Sequence, residues 1–415
     1  MYSRSAGREA LRISEKKRIC GEAVILSGLI FLVMTLYYIH FSEETQYMTD
    51  MPSYVRLAFS LPEYAYNLIH HTGEVNTSIA YPMWSLTFLF FHSLTGSSPW
   101  ALGMANAFYL ALEAFCIYMC LYPTVQRKTA VYTIGLMFVG PLYFHAIHET
   151  YYMGQLTANM WHNPTILCVK PFCVLTAFVT RRIILSAEER QRGRYVLLSL
   201  LLTVSILFKP VLFMAYGIGA VIFCVFETLL HRGFIRTALC FAGVCIPPSF
   251  LMAISWYIIY KAPGAKNGAE GMGFGLSPFL VWGSYAQNIP GSILISMGFP
   301  LLVMIFACRE IRNSRVLRVA VAFWLGGLLP FALFYNKANT AYADFYWGTA
   351  MGMLILLFLI CMEMEQMRIA GRMSAIGYQF CWGLFAAQTF CGFLYWIRVH
   401  QELSYAVELW TEPFI

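Results

Sequence analysis

Charge is what this chain has least of. Only 12% of its 415 residues are Asp, Glu, Lys or Arg, about half the share of an ordinary soluble domain. No stretch is both polar and long enough to fold as a separate soluble domain. No glycine-rich phosphate loop links a strand to a helix, so a nucleotide fingerprint is missing. The twelve cysteines form no CxxC pair and no metal-ligand spacing, and eleven of them lie in apolar runs. That excludes a disulfide scaffold and predicts free thiols. The two halves share no matching Gly/Pro-broken segments, the usual mark of an inverted-repeat transporter.

What is abundant is apolar. Hydrophobic residues make up 59% and aromatics 17% of the chain, and the mean hydropathy is +0.61. This profile predicts an all-α, polytopic transmembrane helical bundle embedded in a lipid bilayer. Residues 1–415 read as a single integral membrane domain, with a first outer loop at 42–78 that contains an amphipathic, interfacial stretch at 52–71. Apolar runs cover about 23–41, 79–96, 98–123, 129–148, 164–185, 195–207, 211–230, 237–260, 288–308, 319–335, 347–364 and 375–398. The net charge of +7 sits in short clusters between these runs, as topogenic signals do, and does not indicate nucleic-acid binding. Arg4, Arg8, Arg12, Lys16, Lys17 and Arg18 precede an apolar core too long for a cleaved signal peptide. The expectation is a multi-pass protein of the cell membrane with a cytoplasmic N-terminus. If Arg127-Lys128 is also cytoplasmic, 79–96 and 98–123 cannot both cross. A re-entrant 79–96 then gives eleven crossings; otherwise there are twelve segments.

Three polar elements fall on the side opposite the basic clusters. The first outer loop holds Glu43, Glu44 and Asp50, three acids within eight residues. A carboxylate at a water–lipid boundary is suited to take a proton from a hydroxyl. The second element is Glu149–Thr165, which concentrates Gln155, Asn159, Trp161 and His162. It leads into a helix through Asn163-Pro164-Thr165, with Asn as cap and Pro in the first turn. The third is Tyr335–Gly348, which mixes Lys337 and Asp344 with amides and aromatics. Between two apolar runs, Lys209-Pro210 places a lysine at a helix break, where it either snorkels to the surface or binds phosphate. Lys170 is similar but lies deeper in its helix.

Taken together, the N-terminal helix, the outer-loop acid, Tyr81-Pro82-x-Trp84, Gly154-Gln155-x3-Asn159 and Lys209-Pro210 resemble the GT-C superfamily. These are polytopic glycosyltransferases that use polyprenyl-phosphate-linked sugars. The Gly-Gln-x3-Asn and Lys-Pro elements are most similar to its bacterial mannosyltransferase-like branch. The resemblance implies a sugar transferred from a polyprenyl-phosphate donor to a cell-envelope glycan or lipid acceptor on the outer face. Asp50 would be the base, with Glu43 and Glu44 as alternative acids. Lys209, Gln155, Asn159, His162, Arg56 and Lys337 would contact substrate or donor. The chain lacks an Asp-Asp or Asp-x-Asp motif, so the resemblance leaves a divalent metal open and implies no certain cofactor. Two other readings remain: a transporter or flippase of lipid-linked saccharides, and a non-catalytic membrane subunit of a surface-polymer machine.

Overall fold

The computed structural model describes residues 2–44, 50–142, 163–186, 191–265, 274–286, 288–337 and 344–400. In chain order the helices are α1 (Tyr2–Glu44), α2 (Met51–Phe59), α3 (Leu61–His70), α4 (Met83–Thr95), α5 (Ser98–Val125) and α6 (Thr129–Phe138). They continue with α7 (Pro164–Leu185), α8 (Arg192–Ile206), α9 (Val211–Leu230), α10 (Ile235–Tyr260), α11 (Leu280–Tyr285) and α12 (Ile289–Ser296). The last five are α13 (Gly298–Phe306), α14 (Cys308–Asn313), α15 (Arg315–Leu333), α16 (Tyr346–Ile369) and α17 (Ala375–His400). The chain is an all-α polytopic bundle, as expected. The one addition is a short antiparallel pair, β1 (Phe274–Leu276) with β2 (Phe334–Asn336).

The expected apolar runs fall largely on helix, because a backbone in lipid must satisfy its own hydrogen bonds; of the run 129–148 only Thr129–Phe138 is helical, and 143–148 lie outside the described residues. The helices are unequal, however. Six stretches are long and apolar enough to cross a membrane, or seven if the pair α12–α13, bent by 72°, counts as one span. One of the six, Ser98–Phe138, is 41 residues long and is two passes rather than one. The chain reverses at Gln126, whose φ is +36°. The Arg18 guanidinium donates to the Tyr122 hydroxyl near the end of α5. Beyond the reversal, Phe138 at the far end of α6 packs on Trp396, which in turn touches Tyr37.

Contacts of this kind give every helix a direction. One end of the bundle is basic. Arg18 pairs with Glu22 there, Lys128 with Glu365, Arg181 with Glu363, Arg315 and Arg318 with Glu227, and Arg372 with Glu310. The other end holds Asp50, Asn163, Leu207, Tyr260, β2 and Trp347. Between the two ends α1, α5, α6, α7, α8, α9, α10, α12–α13, α15, α16 and α17 alternate in direction. The helix α4 is not one of them. It has 13 residues, and both of its ends lie toward the Asp50 end of α5. It starts beside Asn106 of α5, which accepts from the Trp84 indole at 3.0 Å. A left-handed Gly96 (φ +66°) then turns the chain straight into α5. Helix α5 runs antiparallel to α1, since Gly103 sits on Thr35 and Tyr118 donates to Glu22 at 2.6 Å. A crossing α4 would have made α5 parallel to α1. The N-terminus and Arg127-Lys128 therefore lie at the same end.

The core is centred on α16, which is buried along its whole apolar length. Helices α9, α15 and α16 meet through glycines. A Cβ on Gly326 would collide with the Ala215 carbonyl and with Gly219, and one on Gly327 with the Gly348 carbonyl. Such close backbone approach is how helices associate where no hydrophobic drive separates them from lipid. Deeper in the bundle, Lys170 of α7 donates to Glu113 Oε2 of α5 at 3.1 Å, with side chains only 2% and 0% exposed. The second oxygen, Glu113 Oε1, has no hydrogen-bond partner. All twelve cysteines are free thiols, as expected.

Two outcomes test this architecture. On a cysteine-free background, Arg56→Cys and Ser97→Cys should be labelled from one face of the membrane, and Arg127→Cys and Arg192→Cys from the other. Labelling of Ser97→Cys from the face opposite to Arg56→Cys would make α4 a crossing helix. For the buried pair, Lys170→Met alone should destabilise the purified protein by about 3–5 kcal/mol, because it strands a buried carboxylate. Adding Glu113→Leu should recover most of that loss. Unfolding in detergent would read both.

Candidate functional site

The Asp50 end is built by three chain segments converging on the start of α4. Pro52 in the first turn sets the start of α2, and Asp50 occupies its N-cap position. The Asp50 side chain does not cap its own helix. Its carboxylate instead accepts from Asn163 Nδ2 at 2.7 Å. Asn163 does cap its helix, as the Asn-Pro-Thr sequence predicts. Its Oδ1 accepts from the Thr165 backbone N–H at 3.1 Å and from the Thr165 hydroxyl at 2.6 Å. One buried amide thus holds α7 with its oxygen and Asp50 with its nitrogen. The same Nδ2 lies 3.4 Å from the Tyr54 hydroxyl, one turn along α2.

Tyr54 packs edge-on against Trp84, with ring centroids 5.9 Å apart. One residue earlier, the Met83 N–H donates to the Leu207 carbonyl at 3.3 Å. Leu207 lies two residues before Lys209. The first turn of α4 therefore touches the Asp50 segment on one side and the Lys209 segment on the other. Lys209 follows α8 at the Pro210 break, half-buried, and its ammonium sits 5.3 Å from the centre of the Trp347 ring. No carboxylate pairs with it among the described residues. A lysine that only snorkels would reach for bulk water; this one lies against an aromatic face.

The third sequence element reaches the same end. Asn336, at the end of β2, donates to Asp344 at 3.0 Å. Asp344 is close enough to act on both Tyr260 and Tyr285. Burial, reinforced by the Asp344 charge, pushes the Tyr285 phenol up to about 12. Burial also raises Tyr81, which lies within electrostatic reach of Tyr54 and Tyr260. Both phenols stay protonated near neutral pH and keep their capacity to donate. The first outer loop is tied down as well: the Val75 N–H donates to the Gly264 carbonyl at 2.7 Å.

Among the residues singled out in the sequence, Asp50 and Lys209 flank α4. Arg56 is exposed on α2 and donates to Ser53 of the same helix at 3.2 Å. Lys337 is exposed beyond β2. Neither touches the Asp50 or Lys209 groups. Gln155, Asn159 and His162 lie outside the described residues, as do the side chains of Glu43 and Glu44. Asn336, Asp344 and Trp347 belong to the third polar element of the sequence but were not singled out within it, and Asn163 and Tyr54 were expected only as a helix cap and as part of an interfacial stretch. The signals were present: Asn163 was already expected to cap, and a capping amide has a spare nitrogen. No group of three or more His, Cys, Asp or Glu that suits a metal ion occurs among the described residues. Among the described residues the group beside Asp50 is an amide nitrogen, and Asn163 Oδ1 is committed to Thr165. This is a poor donor set for a divalent cation, and no step is assigned to one.

Asn163 has two roles that substitutions separate. Asn163→Ala should cost about 0.5–2 kcal/mol through loss of the cap. Asn163→Ser keeps a capping oxygen but is too short to hold Asp50. Thermal unfolding should therefore show Ser close to wild type and Ala well below it, while activity should fall in both. A Ser variant as unstable as Ala would mean that the Asp50 contact, not the cap, carries the stability.

No known family's sequence profile matches the chain, and no curated protein matches it. Its function is read from the groups gathered around α4.

Proposed function

We propose that this chain is a membrane glycosyltransferase that moves a sugar from a polyprenyl-phosphate donor to the hydroxyl of a cell-envelope glycan or lipid acceptor. The observation that carries the reading is the pair flanking α4. One side has a carboxylate oriented by a buried amide, and the other has a lysine that no acid pairs with among the described residues. A base and a phosphate-binding cation at the lipid–water boundary are what transfer from a lipid-linked donor requires.

In this reading the acceptor oxygen attacks the anomeric carbon. The new carbon–oxygen bond forms as the bond from that carbon to the donor phosphate breaks. The hydroxyl proton goes to Asp50. The polyprenyl phosphate leaves with an added negative charge, which Lys209 stabilises. Asn163 is a positioning residue that fixes the carboxylate. Trp347 holds the Lys209 ammonium by a cation–π contact, and Tyr81 offers a protonated phenol beside Tyr54. The exposed apolar faces at this end of the bundle accommodate the polyprenyl chain. The acid end would face outward and the basic end the cytoplasm, in keeping with the positive-inside rule.

One observation favours a second reading, a transporter of lipid-linked saccharides. The Glu113–Lys170 pair lies within the apolar bundle, where ionisable residues often mark a transport path. Sugar transfer by purified protein in detergent distinguishes the two, since a transporter produces no new glycosidic bond.

For the transferase, Asp50→Asn keeps size and hydrogen bonding but removes the base. Turnover should fall by about a hundredfold or more with folding unchanged. Lys209→Gln should weaken binding of a polyprenyl-phosphate analogue by roughly 1.5–3 kcal/mol, and Lys209→Arg by less. Full activity of Asp50→Asn would remove the carboxylate mechanism. Equal analogue affinity for wild type and Lys209→Gln would return the lysine to an interfacial role.

A further inference from the structure

The basic end contains a cleft that the proposed chemistry does not use. Its volume is about 930 Å³, and Arg315, Arg318, Arg372 and His231 line it together with Glu310 and Glu363. Behind it, the buried Glu227 accepts from Arg315 Nε at 3.2 Å and from Arg318 Nε at 2.5 Å. Glu363 is taken by Arg181 at 2.8 Å, and Glu310 by Arg372 at 3.4 Å. Among the described residues four arginines thus meet three glutamates, one positive charge more than these acids balance. The excess is accessible. The Arg315 side chain is 44% exposed, stacks over the Phe234 ring at 5.6 Å, and bonds Glu227 through Nε alone. Its two terminal nitrogens make no hydrogen bond among the described residues. A guanidinium held at one edge presents its other edge as a fork that matches a phosphate.

One wall of the cleft is apolar and open. Leu185, Phe226 and Leu230 belong to the same cleft and are 56%, 49% and 54% exposed. They lie at the basic-end termini of α7 and α9, two helices that pack within the membrane-spanning bundle. A soluble anion would satisfy the arginines and leave these three side chains bare. A diacyl phospholipid satisfies both, with its phosphodiester on the arginine fork and its glycerol and first methylenes over the leucines and the phenylalanine. We infer that this cleft binds an anionic phospholipid, recognised by its phosphate through Arg315 and Arg372 and by its acyl chains through Leu185, Phe226 and Leu230. The inference is independent of the transferase reading, because none of these residues lies at the Asp50 end.

The test is binding of phosphatidylglycerol to the purified full chain in neutral detergent, with phosphatidylcholine and inorganic phosphate as comparators. Wild type should bind phosphatidylglycerol saturably and well above phosphatidylcholine, and millimolar inorganic phosphate should not displace it. Each arginine removed should weaken binding roughly fivefold, so Arg315→Gln with Arg372→Gln should weaken it by about 25-fold. Arg318 remains on Glu227 in that variant and keeps the buried acid paired. Arg192→Gln with Arg236→Gln removes the same charge from exposed positions outside the cleft, and its affinity should stay near that of wild type. Phe226→Ser with Leu230→Ser leaves every ion pair in place and should also weaken phosphatidylglycerol. Equal loss in the two arginine pairs would mean diffuse surface charge and overturn the site. Displacement by inorganic phosphate, equal binding of phosphatidylcholine, or unchanged affinity in both the cleft-arginine and the Phe226/Leu230 variants would overturn it as well.

Discussion

A charge taken into an apolar bundle must meet its opposite, and most of this fold can be followed from that constraint. Desolvation costs several kcal/mol for each ion, so a chain with few charges cannot leave them unpaired inside. Glu227 is fully buried and takes two arginines from α15. Glu363 and Glu365 sit two residues apart on α16 and take Arg181 of α7 and Lys128 ahead of α6. Each pair joins helices that are distant in sequence. Together they fix which ends of α6, α7, α9, α15 and α16 lie side by side. Apolar packing alone would tolerate sliding along a helix; a buried ion pair does not.

The same constraint explains the interior pair. Glu113 lies seven residues beyond Asn106 on α5, and Lys170 lies seven beyond Asn163 on α7. Seven residues are two helical turns, about 10 Å. The ion pair therefore sets the register of α5 against α7 two turns below the site. Asn106 receives the Trp84 indole and donates to the Met51 sulfur, while Asn163 holds Asp50. Met51 and Asp50 are adjacent, so the start of α2 is held by two amides on two helices whose relative height the ion pair sets. An error in that register would tilt Asp50 before it touched any contact of its own.

The sequence made the bundle, the apolar runs, the free thiols and the Asn163 cap legible, because each depends on local composition or spacing. The non-crossing α4 was legible as a conflict: basic residues before and after a pair of apolar runs cannot be reconciled if both runs cross. The outer-end site was readable only as separate elements. That Tyr54, Trp84 and Leu207 link Asp50 to the Lys209 segment is a property of packing, and no spacing within the chain encodes it. Glu113 went unremarked, although a lone acid in the apolar run 98–123 is conspicuous in a chain so poor in charge. Lys170 was noticed, but its partner lies 57 positions away, and a pairing at that distance is fixed by the helix contact. The β1–β2 pair escaped for a similar reason. Each strand has three residues, too few for an alternating pattern to stand out from an aromatic loop.

The two ends of the molecule treat charge in opposite ways, and that contrast carries the functional argument furthest. At the basic end the acids named above are engaged by arginine or lysine, and Arg315 presents an accessible guanidinium edge beside exposed leucines. At the other end the pairing rule is relaxed. Lys209 rests on the Trp347 ring, with no carboxylate paired to it among the described residues, and Asp50 is oriented by the Asn163 amide. The start of α4 stands between these two segments. A short helix that enters the bundle only partway and then returns costs packing that a crossing helix would have supplied. What it secures is separation of an acid and a base at one boundary, the arrangement a ligand with both a hydroxyl and a phosphate would occupy.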